Sequence, residues 1–177
     1  VDRDPVLLTP GPLTTTLRTK LAMLRDWGSW DAEFNAMTAQ VRRELLALAH
    51  AEESHAAVPL QGSGTFSIEA AVATIVPPSG GHLLVLDNGA YCKRMGKLAS
   101  LMGRRTTIMA RREDEAVSAD ELEAKLVADP SITHVGLIHC ETGTGVLNPL
   151  QAVSHVCARH DKGLIVDAMS SFGALEI

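Results

Sequence analysis

The chain has 177 residues, a net charge of -5, 46% hydrophobic residues and no long basic cluster, which gives one domain with a sizeable core and excludes a nucleic-acid footprint. No apolar run approaches the roughly 20 residues of a membrane span, and Asp2, Arg3 and Asp4 precede too brief an apolar pair for a signal peptide. Cys92, Cys140 and Cys157 lack Cys-x-x-Cys spacing, so no disulfide scaffold or metal site is expected and a reducing cytoplasm suits them.

Residues 1–50 read as an N-terminal arm with helices. Thr9-Pro10-Gly11-Pro12 forbids helix and fixes an extended turn. Residues 14–24 are weakly helical. Trp27 and Trp30 cluster as packing or subunit-contact aromatics, and Asp31 or Ser29 is placed to cap the next helix. That helix runs to about His50, with Phe34, Met37, Val41, Leu45 and Leu48 on one stripe that reads as a core face.

From residue 51 the chain alternates strands and helices. Strands are expected at 57–60, 83–86, 106–109, 134–139 and 163–166, and helices at 66–76, 91–102, from Ser118 to about Asp129, and from Pro149 to about His160. Ser118 with Glu121 is a capping-box pattern. Arg104-Arg105 and Arg111-Arg112 read as the solvated ends of one strand. Leu164 to Val166 read as a strand buried on both faces. The pattern defines an α/β fold, a largely parallel sheet with helices on both faces. Such a sheet binds ligands at the carboxyl ends of its strands.

Four loops gather there. Gly62-Ser63-Gly64-Thr65 precedes a helix, and its glycines, hydroxyls and free N–H groups suit a phosphate; a plain glycine turn is the other reading. It lacks the Lys of a P-loop, and Ser67 stands where a dinucleotide fingerprint needs a third Gly. Tyr91, the one tyrosine, can stack on a planar ligand or simply pack. His139 to Gly145 carries Thr142 and other hydroxyls that can line a pocket; His139 reads first as a structural histidine, and Glu141 has a bland reading as an acceptor for nearby backbone. Asp167 ends its strand and either caps a turn or meets a positive ligand group. A phosphate cradle, a stacking ring, hydroxyls and a carboxylate together fit pyridoxal 5′-phosphate, with Asp167 facing the pyridine nitrogen.

The strings Leu7 to Pro12, Leu60-Gln61-Gly62-Ser63-Gly64, Asn88-Gly89-Ala90-Tyr91, His139-Cys140-Glu141-Thr142, Leu147-Asn148-Pro149 and Asp167-Ala168-Met169-Ser170-Ser171-Phe172-Gly173 resemble the class V, fold-type I aminotransferases over essentially the whole chain. The last string is most like the branch that moves the amine of 2-aminoethylphosphonate to pyruvate, giving phosphonoacetaldehyde and alanine. The resemblance implies that Ser63, Gly64 and Thr65 hold the cofactor phosphate. Tyr91 stacks on its ring, Thr142 reaches the ring hydroxyl side and Asp167 pairs with the ring nitrogen. Thr9 and Gly11 lie on the substrate side, and the early helices help form a homodimer. Residues 51–177 are then the front part of the cofactor-binding large domain.

The Schiff-base lysine of that family falls past Ile177. Lys20, Lys93, Lys97, Lys125 and Lys162 all read as helical or helix-end residues, none at the family position. The expectation is therefore an N-terminal half, inactive alone. Three other readings stay open: another class V enzyme of the alanine–glyoxylate type, a non-catalytic phosphate- or nucleotide-binding α/β module, and a fragment serving only as an interaction partner or decoy subunit.

Overall fold

In the computed structural model, residues 4–9 and 11–177 are described. Residues 1–3 and Pro10, and with them part of the Thr9 to Pro12 turn, lie outside the described residues. The chain divides into two units, Val1–Leu60 with Gly173–Ile177, and Gln61–Phe172.

The first unit holds α1 (Leu17–Ala22) and α2 (Ala32–Leu48). The Thr16 hydroxyl accepts from Thr19 N and starts α1. Asp31 occupies the cap position of α2, but its carboxylate takes Gly28 N–H at 2.8 Å instead of a helix N–H. The α2 stripe departs from the core expected of it: Phe34, Met37, Val41, Leu45 and Leu48 are 37–57% exposed. Periodicity marks the face that needs a partner, not the partner. The strand expected at 57–60 is absent; Pro59 has no N–H to give a ladder, and the segment has no regular structure.

The second unit holds α3 (Gly64–Ile75), β1 (His82–Asp87), α4 (Ala90–Leu101), β2 (Arg105–Ala110), α5 (Ala119–Ala128), β3 (His134–Ile138), α6 (Leu150–Arg159) and β4 (Gly163–Asp167). The strands form one parallel sheet in the order β2-β1-β3-β4. Successive side chains of a strand point to opposite faces, so the apolar run of β1 feeds two cores. Leu84 and Leu86 pack with Leu122, Leu126, Val135, Leu137 and Val153. Leu83 and Val85 pack with Val72, Met95, Ala99, Ile138 and Ile165. Helices therefore cover both faces, as the pattern requires. The two outer strands are the exceptions, since none of the six residues of β2 is buried and only Ile165 of the five in β4 is.

The arginine pairs are more than solvated ends. Arg104 donates to Val76 O at 2.8 Å and Ala73 O at 3.1 Å, closing the carbonyl end of α3. Arg111 takes the Glu121 carboxylate at 2.5 and 3.1 Å. Ser118 Oγ accepts from Glu121 N at 3.3 Å, so half of the capping box forms while Arg111 claims the other half.

Three histidines couple this unit to pH. His82 is buried between Ser131 Oγ at 3.1 Å and Thr107 Oγ1 at 2.7 Å. Burial, then the nearby Arg105 charge, holds its pKa below the ordinary 6.5. Burial lowers His134 and His139 as well. The unfolded chain then takes up these protons first as pH falls. Stability is full above pH 6.5 and is lost as pH drops through 6.5 toward the folded values, by at most about 1.4 kcal/mol per pH unit for each proton. Urea melts stepped downward from neutral pH should show falling midpoints, and His82→Gln should flatten that slope; an unchanged slope in the variant contradicts the assignment.

Candidate functional site

The carboxyl ends of β1, β3 and β4 carry loops that are knitted together by short polar contacts. After β4, Asp167 Oδ1 accepts from Met169 N at 3.0 Å, an Asx-type turn that fixes the carboxylate and leaves Oδ2 for another group. Asp167 is half-buried. Its carbonyl takes His139 N at 2.8 Å, and His139 Nδ1 meets Ser171 Oγ at 3.0 Å. His139 is thus a buried structural residue.

Thr142 and the loop after β4 meet directly. Thr142 Oγ1 donates to Ser170 Oγ at 3.2 Å, and Ser170 Oγ donates to Cys140 O at 2.7 Å. The loop closes on itself through the Cys140–Leu147 bridge and Gly145 N to Glu141 O at 2.7 Å.

The N-terminus of α3 faces the same edge. Ser63 Oγ accepts from Phe66 N at 3.3 Å, and Ser63 O accepts from Ser67 N at 3.1 Å. The N–H groups of Gly64 and Thr65 belong to the first turn, which has no intrahelical acceptors for them. A Cβ on Gly64 would sit 2.6 Å from Met169 Cε, the end of a flexible and exposed side chain, so the start of α3 lies beside the loop after β4. Arg94 Nη1 donates to Thr65 Oγ1 at 3.2 Å, and its guanidinium lies 4.7 Å from the centroid of the Tyr91 ring. Two N–H groups, two hydroxyls, a helix dipole and a guanidinium suit an anion here.

Ser63, Gly64, Thr65, Tyr91, Thr142 and Asp167 therefore lie along one edge of one unit. Thr9 and Gly11 belong to the other unit, where Thr9 Oγ1 donates to Pro12 O at 2.9 Å. Among the lysines, Lys93 pairs with Glu113 at 2.6 Å, Lys20 pairs with Asp4, and Lys162 donates to Pro130 O at 3.2 Å.

Sequence reasoning did not reach Arg94, nor the pairing of Asn88 with Asn148. Asn88 Nδ2 donates to Asn148 Oδ1 at 2.9 Å, and Asn148 Nδ2 returns to Asn88 Oδ1 at 3.2 Å. Asn148 also takes Val117 N at 3.0 Å and gives to Ile138 O at 2.8 Å. Arg94 stands three residues after Tyr91, a helical-face spacing that was available as a signal. The asparagine pair spans sixty positions and has no local signal.

A helix N-terminus, an aromatic and a carboxylate thus stand at the carboxyl edge of a parallel sheet, the edge at which α/β sheets of this kind bind ligands. The chain belongs to the aminotransferase class-V family, whose model matches residues 18–177. It is 70% identical over all 177 residues to 2-aminoethylphosphonate–pyruvate transaminase 2 of Polaromonas sp. (strain JS666), and 60% identical over 98% of its length to transaminase 1 of the same strain. The chain spans about half the length of the curated relatives it matches, 47% in both cases. Among solved structures, pyridoxamine-pyruvate aminotransferase from Mesorhizobium loti superposes with a TM-score of 0.88 at 29% identity, over 99% of this chain and 44% of that one.

Among the described residues no helix is long and apolar enough to cross a membrane, and no group of His, Cys, Asp and Glu is arranged to hold a metal ion.

Proposed function

We propose that the complete protein is a pyridoxal 5′-phosphate-dependent transaminase that moves the amine of 2-aminoethylphosphonate to pyruvate, and that this chain supplies the front of its cofactor site. The observation that carries the reading is the 70% identity along the whole chain to a protein of that name. The geometry supports it, because the site's groups match the cofactor's chemistry one by one.

The Gly64 and Thr65 N–H groups, with the Ser63 and Thr65 hydroxyls, hold the phosphate. Arg94 adds charge beside Thr65. The Tyr91 ring takes the flat face of the pyridine, and Thr142 the ring hydroxyl side. Asp167 Oδ2 keeps a proton on the ring nitrogen, as an opposite charge at contact raises that nitrogen's pKa by about 1–3 units. When bound, the cofactor supplies the carbonyl that accepts an amine and the ring that draws electrons from the adjacent carbon. The reading carries with it a homodimer, which the exposed apolar stripe of α2 supports, and a cytoplasmic setting, which the three free cysteines suit.

The test is a donor panel on the protein expressed from its complete reading frame. Alanine should form from pyruvate with 2-aminoethylphosphonate as donor, and much more slowly with other amines. Turnover of alanine with glyoxylate in preference to that pair would move the chain to another branch of the family. Absence of transamination with any donor would sink the enzymatic reading.

A further inference from the structure

Helix α4, which presents Tyr91, begins without a side-chain cap of its own. Its cap position is Gly89, in extended backbone that any residue adopts. The first-turn N–H of Tyr91 still needs an acceptor. It finds one fifty positions away, at Glu141 Oε2, 3.3 Å distant. The other oxygen of the same carboxylate, Oε1, takes Gly143 N at 3.2 Å. Glu141 is fully buried. The Cys92 thiol adds a contact to Oε2 at 3.7 Å, and burial pushes that thiol up to about 11, so it stays protonated and donates. A Cβ on Gly89 would sit 2.4 Å from Glu141 Cδ, so the glycine makes room for the distant cap.

We infer that Glu141 is a positioning residue of the cofactor site: one carboxylate fastens the helix that presents Tyr91 to the loop that presents Thr142, and so sets the spacing between the stacking ring and the hydroxyl that face the ligand. The inference rests on the pyridoxal phosphate reading of this edge and deepens it. Two oxygens engage two segments, so the residue does more than end a helix. A cap within α4 would satisfy Tyr91 N–H equally well but would leave the Thr142 loop, held otherwise by the loop after β4, without its tie to α4.

That difference can be measured. Pyridoxamine 5′-phosphate is the probe, because it carries no aldehyde to react with stray lysines. It is titrated into the protein from its complete reading frame, and affinity, induced circular dichroism of the bound ring and thermal midpoint are read together. Glu141→Ala should lower all three, with affinity falling about tenfold or more, the scale of one charge-assisted hydrogen bond. In the double variant Gly89→Ser with Glu141→Ala, the serine has room to cap α4 locally. The midpoint should recover while affinity and dichroism stay low. Recovery of all three in the double variant overturns the inference, and so does a Glu141→Ala protein that binds as the parent does. Glu141→Gln covers the case in which neither alanine variant folds: its single amide oxygen serves one segment only, so it should fold and bind weakly, and parent-like binding by it is equally fatal. Failure of the unmodified protein to bind the probe takes down the cofactor reading itself, whereas binding that ignores Glu141 takes down only the inference.

Discussion

Asp167→Asn in the complete protein is expected to lower kcat for amino transfer by about 10- to 1,000-fold, the rate equivalent of the 1–3 pKa units that an opposite charge supplies. The asparagine keeps the size of the side chain and can still accept from Met169 N through its amide oxygen, as Asp167 Oδ1 does at 3.0 Å. The turn after β4 should therefore survive. What is lost is the negative charge on the atom left for the ligand, and with it the proton held on the ring nitrogen. The thermal midpoint should stay close to the parent's, and KM should change less than kcat, because the defect lies in the chemical step. Steady-state kinetics with both substrates check this. A variant that turns over like the parent would leave Asp167 as a turn-former only.

The largest effect on stability is expected from Asn148→Ala. This side chain joins three segments: it takes Val117 N, gives to Ile138 O, and exchanges two hydrogen bonds with Asn88. Both asparagines are buried. Truncation leaves the buried Val117 N–H and the Ile138 carbonyl without this partner, each such unsatisfied group costing about 1–3 kcal/mol, and takes two hydrogen bonds from the Asn88 amide, which keeps Glu115 O and the Cys92 thiol. A loss of about 3 kcal/mol or more in unfolding free energy follows, since the loop after β3 cannot relax to replace every partner. Asn88→Ala should cost less, because Asn148 keeps Val117 N and Ile138 O. The two losses should not add, as the residues share a contact. Equilibrium urea denaturation of the two single variants and the double variant gives the answer; strictly additive losses would show that the pair does not act as a unit.

Both predictions bear on what the sequence makes legible. The run Leu83 to Leu86 has no polar alternation, which is the signature of a strand buried on both sides, and β1 is that strand. Gly-Ser-Gly-Thr before an apolar stretch marks a helix N-terminus that suits an anion, and α3 begins at Gly64. These are local signals, set by the backbone freedom of glycine, the capping hydroxyl of serine and the period of a strand or helix. The same local view misjudged β4. Leu164, Ile165 and Val166 form an apolar run like that of β1, yet their burial depends on where the strand falls in the sheet, and β4 falls on the outside of the four. The α2 stripe misled for a related reason: a period of three and four names a face, and only tertiary structure says what meets it.

The site divides along the same line. Asp167, Thr142, Tyr91 and the Ser63 to Thr65 loop were legible because each follows a strand end or opens a helix, and topology brings those points to one edge. The groups that hold them in place were not. Glu141 reads in isolation as an acceptor for nearby backbone, which is half of what it does, since Gly143 N is local and Tyr91 N is not. Asn88 looks like the first residue of an Asn-Gly turn, and nothing near it predicts a partner at Asn148. Long-range polar contacts carry no periodicity, so they emerge only once the strands are in order.

The central claim is that the edge formed by Ser63 to Thr65, Tyr91, Thr142 and Asp167 holds pyridoxal phosphate in one orientation. A crystal structure of the complete protein with pyridoxamine 5′-phosphate tests it most directly. The account predicts the phosphate on the Gly64 and Thr65 N–H groups, the ring against Tyr91, and the ring nitrogen within hydrogen-bond reach of Asp167. A ligand seated elsewhere, or reversed so that its phosphate lies at Asp167, would contradict it.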